Sequence, residues 1–206
     1  MLISIEGIDG SGKSTLIRDL EVELAELDPV VTREPGITWV GDAVRRGIAE
    51  EIDPIAEALL FVADHAAHLA AVIRPALEAG RVVVSDRYSD SRYAYQAVTL
   101  AGHLPDPVGW LRKVHEGWTV RPDRTYLLVI PVDDALRRLE ASAHREHFEQ
   151  ADILEQVQRH YLAFAAEDPG RFVIVDAMKE KEEIVSFVAG DIRRHAGWSR
   201  SRPRRS

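Results

Sequence analysis

The chain contains no cysteine. A disulfide framework and a thiolate metal site are therefore both excluded. No apolar run approaches the ~18 residues of a membrane span. The first residues enter a strand at once, which leaves no room for a signal peptide. A soluble, cytoplasmic protein without membrane association is expected. Internal repeats are absent, and so is any linker long enough to divide two domains. Positive charge is in deficit: 26 lysines and arginines against 34 acids leave a formal net charge of −8, and 196–206 hold four arginines and no acid. Setting those four aside leaves a body at −12. Such a body is a poor non-specific partner for nucleic acid, so any site for anions must come from a few local basic residues. With 206 residues, 46% of them hydrophobic, one domain with a buried core is expected. It spans 1–195, followed by a basic, Ser/Pro-rich, disordered tail over 196–206.

What is present begins with Gly7-Ile8-Asp9-Gly10-Ser11-Gly12-Lys13-Ser14-Thr15, which fits G-x-x-x-x-G-K-[ST]. Leu2-Ile3-Ser4-Ile5 before it reads as a buried strand. After it, Leu16, Leu20, Leu24 and Leu27 repeat at helical spacing from Ser14 onward. Strand, glycine loop and helix together form a phosphate cradle. The glycines let several N–H groups turn inward, and the helix N-terminus adds partial positive charge. Lys13 would reach β- and γ-phosphates, and the Ser14 hydroxyl would bind Mg²⁺.

Further strands are read at Val30–Thr32, Arg81–Ser85, Thr125–Ile130 and Phe172–Val175. Helices are read over 39–50, 55–79, 90–101, 108–116, 133–141, 148–167 and 179–195. In the longest, Ile55, Leu59, Val62, Ala66, Leu69, Ile73 and Leu77 make one apolar stripe. Phe61, His65 and His68 share a different face, which is either a second packing contact or a ligand face, and Pro75 predicts a kink or break. Asp64 and His68 have a spacing that can bind metal, but no third ligand accompanies them. Strand followed by helix five times over predicts an α/β fold, a five-stranded parallel sheet with helices on both faces. Ligands then bind beyond the carboxyl ends of the strands, which places Asp86 and Arg87 near the phosphates.

The guanine-reading N-K-x-D of a GTPase is absent, and the strand ending in Asp86 continues Arg87-Tyr88 instead of the catalytic Glu of an ATPase motor. An arginine beside the metal-binding acid suits a second, anionic substrate. Arg33, Arg45 and Arg87 each follow a strand or stand near a helix start, at that same edge of the sheet.

These residues resemble the thymidylate kinase family, its archaeal branch in particular, from Met1 to about Asp176. The resemblance rests on Glu6 to Thr15, Thr32-Arg33-Glu34-Pro35-Gly36, Leu60-Phe61-Val62-Ala63-Asp64-His65, Asp86-Arg87-Tyr88, Ser91 and Ala94-Tyr95-Gln96. It implies a P-loop NTPase fold with a short lid at about 142–148, a nucleoside monophosphate kinase domain and a homodimer. The implied reaction moves the γ-phosphoryl group of ATP to dTMP with Mg²⁺, held by Ser14 and Asp86. Asp9 would lie near the sugar 3′-hydroxyl and the donor phosphate. Arg45 and Arg87 would hold the acceptor phosphate. Phe61 would stack on the pyrimidine, and Tyr95 would wall off the 2′ position. Arg33, Glu34 and Gln96 would complete that pocket. Asp9-Gly10-Ser11-Gly12 carries no basic residue, so the catalytic arginine would come from the lid: Arg145 first, then Arg138 near the adenine. The chain departs from the family pattern at Ile37, His65 and Arg92. His65 stands where many members have the arginine that contacts the pyrimidine carbonyl, and Arg92 would take over part of that contact. The alternatives are a kinase for another nucleotide such as dUMP and a nucleotide-binding regulator without turnover.

Overall fold

The computed structural model describes residues 1–140 and 150–200. Strands β1 (Leu2–Glu6), β2 (Val30–Arg33), β3 (Val83–Asp86), β4 (Arg124–Val129) and β5 (Phe172–Asp176) form one parallel sheet. Its order is β2-β3-β1-β4-β5. All five residues of β1 are buried, and Leu2, Ile3 and Ile5 suit a central strand covered on both faces. In register, Ile5 lies opposite Asp86 and Glu6 opposite Leu127. The chain leaves β1 toward β2 on one side, and later crosses from β3 past β1 to β4. The carboxyl ends of β1 and β3 therefore flank the reversal in strand order, where open α/β sheets form a ligand crevice.

The helices are α1 (Lys13–Glu23), α2 (Trp39–Ala49), α3 (Pro54–His68), α4 (Arg74–Glu78), α5 (Ser89–Thr99), α6 (Pro107–His115), α7 (Val132–Glu140), α8 (Ala151–Glu167) and α9 (Lys181–Arg200). On one sheet face, Ile3, Ile5, Val84, Tyr126 and Leu128 belong to a core shared with Leu16 and Leu20 of α1 and Val188 and Ile192 of α9. Each such fully buried aliphatic side chain contributes about 1.5–3 kcal/mol relative to exposure. On the other face, Leu2 and Val83 pack against Leu69, Ile73 and Ala76. Further along that second face the strands turn polar: Ser4, Glu6, Ser85 and Thr125 are all buried. Ser4 and Thr125 share a hydrogen bond of 2.9 Å, and Arg171 donates to Thr125 and Asp90. A buried parallel sheet tolerates such groups where partners satisfy them.

Three readings from the sequence need correction, whereas the break expected near Pro75 in the helix over 55–79 is present, as a π-helical stretch, Leu69–Ile73. Pro75 explains it, since proline removes one N–H and crowds the carbonyl four residues back, which a wider turn relieves. The face of α3 is reversed. Leu59 and Ala66 of the apolar stripe face solvent, while Glu57, Asp64, His65 and His68 are buried. Tertiary hydrogen bonds outweigh the periodicity there. Pro54–Glu78, moreover, is long and apolar enough by composition to cross a membrane, although the polar side chains of α3 tie it into this fold. Finally, α9 continues to Arg200, through the expected start of the tail. Its buried spacing Val188, Ile192, Ala196 explains why.

Candidate active site

The glycine loop joins β1 to α1. Gly12 caps α1 in the left-handed region, with φ 97°. At Gly10, φ is 79° and an added Cβ would lie 2.4 Å from the Ala135 carbonyl oxygen. A side chain at Gly10 would thus be strained twice, by backbone and by the start of α7. The loop lines a cavity of about 930 Å³ from Asp9 to Thr15. Lys13 Nζ donates to Gly7 O at 3.0 Å and Ile8 O at 2.8 Å. Burial, then the nearby Arg87 charge, pushes its pKa down to about 8.

Ser14 Oγ donates to Asp86 Oδ2 at 3.0 Å, which joins α1 to the end of β3. The other oxygen, Asp86 Oδ1, is buried and finds no hydrogen-bond partner among the described residues. A hydroxyl beside a half-satisfied carboxylate, at a phosphate cradle, fits the all-oxygen preference of Mg²⁺. By contrast, Asp64 and His68 do not form a metal pair. Asp64 accepts the Gly36 amide with both oxygens, at 3.1 and 2.9 Å. His68 shares hydrogen bonds with Glu34 and Thr32, and no metal-holding cluster occurs among the described residues.

Arg87 adopts φ 64°, a left-handed conformation unusual for a non-glycine residue. The Ser85 hydroxyl bonds its carbonyl at 2.7 Å. Its guanidinium is turned back over the loop. There it pairs with Asp9 and donates to Gly7 O, Ser91 Oγ and Tyr95 Oη. It also sits 4.8 Å from the Tyr95 ring centre. Tyr95 Oη accepts from the Asp9 amide at 3.1 Å and donates to Asp9 Oδ2 at 2.7 Å. Burial alone would raise the Asp9 pKa, but Arg87 and Lys13 more than offset it and hold the carboxyl below its usual range.

One end of the cavity is walled by Arg33, Glu34, Arg45, Phe61, Arg92 and Gln96. Behind this wall lies a buried polar network. Glu34 pairs with Arg92, and with His65 Nδ1 at 2.8 Å and His68 Nδ1 at 2.7 Å. Burial would raise the Glu34 pKa, yet the Arg92 and His65 interactions hold it well below the carboxylate range. Arg92 also contacts His65 Nδ1 at 2.7 Å and His115 Nε2 at 3.2 Å. Burial and the Arg92 charge push both His65 and His115 down to about 4. His65 is consequently not where the sequence reading put it. It is fully buried, it does not line the cavity, and its Nε2 is taken by Thr119 at 2.7 Å. Arg45 Nη2 donates to Gly36 O at 3.0 Å and Asp42 at 2.7 Å, which anchors the loop after β2. The Gln96 side-chain Nε2 is buried at the wall with no hydrogen-bond partner among the described residues.

The opposite end is lined by Leu128, Arg138, Leu139, Ala177, Lys179, Lys181, Ile184 and Val185. Arg138 donates to Ala177 O at 3.2 Å. Apart from Arg138 these residues escaped the sequence reading. The signal for them is that ligands lie beyond strand ends, and Ala177 to Lys181 follow β5. Of the other predicted residues, Gly7 and Ile8 serve through their carbonyls behind the lining. Arg145 and the lid at about 142–148 lie outside the described residues.

The sequence model of the family described as "Thymidylate kinase" matches residues 5–188. A protein of Methanoculleus marisnigri named "probable thymidylate kinase" is 66% identical over 204 residues, covering 99% of this chain and 100% of its own length. One of the same name from Methanospirillum hungatei is 58% identical over 191 residues, 93% of this chain and 92% of its own. Another, from Natronomonas pharaonis, is 46% identical over 186 residues, 90% and 93% of the two chains.

Proposed function

The chain belongs to the thymidylate kinase family, and from that premise we propose how its cavity divides the work. The enzyme transfers the γ-phosphoryl group of ATP to the 5′-phosphate of dTMP, giving dTDP and ADP. Such a transfer needs alignment and charge neutralisation more than covalent help. In our reading Lys13 and the loop amides hold the β- and γ-phosphates. Lys13 exchanges its contacts with Gly7 O and Ile8 O for phosphate oxygens. Ser14 and Asp86 would hold Mg²⁺, which would supply charge neutralisation at the phosphates. Arg138 and the apolar residues at the β5 end receive the adenine, with Lys179 and Lys181 at the rim.

Arg87 and Arg45 take the acceptor phosphate. The observation that carries this is the Arg87 guanidinium, fixed over the glycine loop between Asp9 and Tyr95. A planar fork there matches a phosphate bidentately. Asp9 accepts the sugar 3′-hydroxyl, and Tyr95, already bound to Asp9, fills the space of a 2′-hydroxyl. Phe61 stacks on the pyrimidine, and Arg33 closes the rim. Arg92 and the free amide of Gln96 read the base edge. Glu34 and His65 do so indirectly, by holding Arg92.

The reading extends to a single nucleoside monophosphate kinase domain, at work in the cytoplasm. It also extends to a homodimer across the solvent face of α3. Leu59 there is 48% exposed, and Ala56, Ala63 and Ala66 flank it. Sedimentation of the protein checks the dimer. A coupled ADP-release assay with Mg-ATP and dTMP, dUMP, dCMP or thymidine checks the reaction. Turnover strongly favouring dTMP is expected. Preference for another acceptor would overturn the base reading, and ATP binding without any turnover would overturn the kinase.

A further inference from the structure

Glu6 closes β1 immediately before the glycine loop, and nothing above uses it. It is completely buried. Ser91 Oγ donates to Glu6 Oε2 at 2.6 Å, and Tyr161 Oη donates to the same oxygen at 3.0 Å. Glu6 Oε1 finds no hydrogen-bond partner among the described residues. Ser91 is in turn the acceptor for Arg87 Nη1, at 3.2 Å. A continuous path therefore runs from Glu6 through one hydroxyl to the guanidinium over the phosphate loop.

The groups that face Glu6 come from four elements. Arg87 follows β3; Asp90 and Ser91 belong to α5; Tyr161 belongs to α8; and Lys13, from α1, feels its charge. Asp90 is itself bound by Arg171. A carboxylate with one oxygen unpaired in such a site is heavily penalised, whereas the neutral acid is tolerated. Burial first, and Asp90 second, push Glu6 up to about 8. Near neutral pH it is thus the protonated acid, and Arg87 keeps its full charge for other partners.

We propose that Glu6 is a positioning residue for Arg87, acting through Ser91, and that its ionisation sets how tightly Arg87 holds the acceptor phosphate. This rests on the assignment of Arg87 to that phosphate. A neutral Glu6 fixes Ser91, and Ser91 fixes the guanidinium, with no competing charge. An ionised Glu6 competes for Arg87 and repels the incoming dianion. Linkage gives the sign: binding of a dianion at Arg87 favours the protonated form of Glu6, so affinity is full below the Glu6 pKa and falls as pH rises through it.

The test is the KM for dTMP at saturating Mg-ATP across pH 6.5 to 9.5, in the parent and in Glu6→Gln, which mimics the neutral acid. In the parent that KM is expected to rise roughly tenfold over the range, and in Glu6→Gln to stay within about twofold. Binding of thymidine, which carries no phosphate, should not show the rise. An equal rise in Glu6→Gln, no rise in the parent, or the same rise with thymidine would overturn the proposal. Should Glu6→Gln fail to fold, Tyr161→Phe serves. It removes a donor that stabilises the ionised form, so the midpoint should move up by about half a pH unit. A midpoint that stays put contradicts the idea. Turnover of dTMP by the parent at pH 7 checks the underlying reading separately.

Discussion

At the acceptor end of the cavity, the lining side chains are backed by buried partners; at the donor end they are backed by little. Arg92 and Glu34 are each 5% exposed or less and join three histidines in one network. Gly36 is held by Asp64, and Arg45 by Gly36. At the other end, Lys179 and Lys181 are exposed, and their ion pairs with Glu183 and Asp19 lie at the surface. Exposed pairs of this kind contribute about 0–1 kcal/mol. Removing one partner from a buried pair costs several times more, because the other charge is stranded. The contrast suits the chemistry. A donor common to many kinases needs a general cradle, whereas the acceptor must be told apart from its relatives by fixed polar groups.

The largest effect should come from where the two ends meet. Arg87→Ala is expected to lower kcat/KM for dTMP by about 10³, with a much smaller change in the KM for ATP. A comparable rise in both KM values would erase the distinction between the ends. Stability should separate them next. Glu34→Ala strands Arg92 and is expected to cost about 3–5 kcal/mol in urea unfolding, against roughly 0.5 kcal/mol or less for Lys179→Ala. Equal losses would mean that the acceptor network stabilises nothing.

Acid should act on the same end. His65 and His115 are held near 4 in the fold, against 6.5 for an ordinary histidine. Between those values the unfolded chain binds more protons than the folded one. Stability is therefore present above about pH 6.5 and lost as pH falls toward 4, at up to about 1.4 kcal/mol per pKa unit for each group. Glu34, held well below its usual range, adds to the loss in the same direction at still lower pH. Thermal melts across this range check it, and an unchanged melting temperature would contradict the burial account. The smallest effect belongs to the donor end. Arg138→Ala should raise the KM for ATP about fivefold and leave that for dTMP unchanged.

The two ends were also unequally legible in the sequence. The glycine loop announces itself, because its phosphate chemistry is written in consecutive residues. The five strands were readable as short β-branched runs, and their alternation with helices gave the parallel sheet. Asp86 and Arg87 followed from the rule about strand ends. The acceptor wall was named through the resemblance, but the network behind it was not, since its partners are dispersed: Glu34, His65, Arg92 and His115 come from four segments, and the donor-end lining after β5 carries no motif at all. His65 is placed at the base by the resemblance, because it stands where many members have an arginine, and it shares a helix face with Phe61. That face is buried against the loop after β2, and an apolar stripe drew attention to the opposite one. Glu6 stands in the motif that carries the resemblance, yet its role was hidden for a related reason. A glutamate ending a buried strand has no local signature of the serine and tyrosine that meet it from α5 and α8.

The claim that the acceptor end is organised before substrate arrives is tested most directly by amide hydrogen exchange on the free enzyme. The Glu34 amide is bonded to Asp86 O, and the Gly36 amide to Asp64; both should be strongly protected without any nucleotide. The Met178 and Lys179 amides, bonded to Asp176 alone among the described residues, should exchange fast and gain protection when ATP is added. Fast exchange at Glu34 and Gly36 in the free enzyme, slowed only by dTMP, would contradict the account.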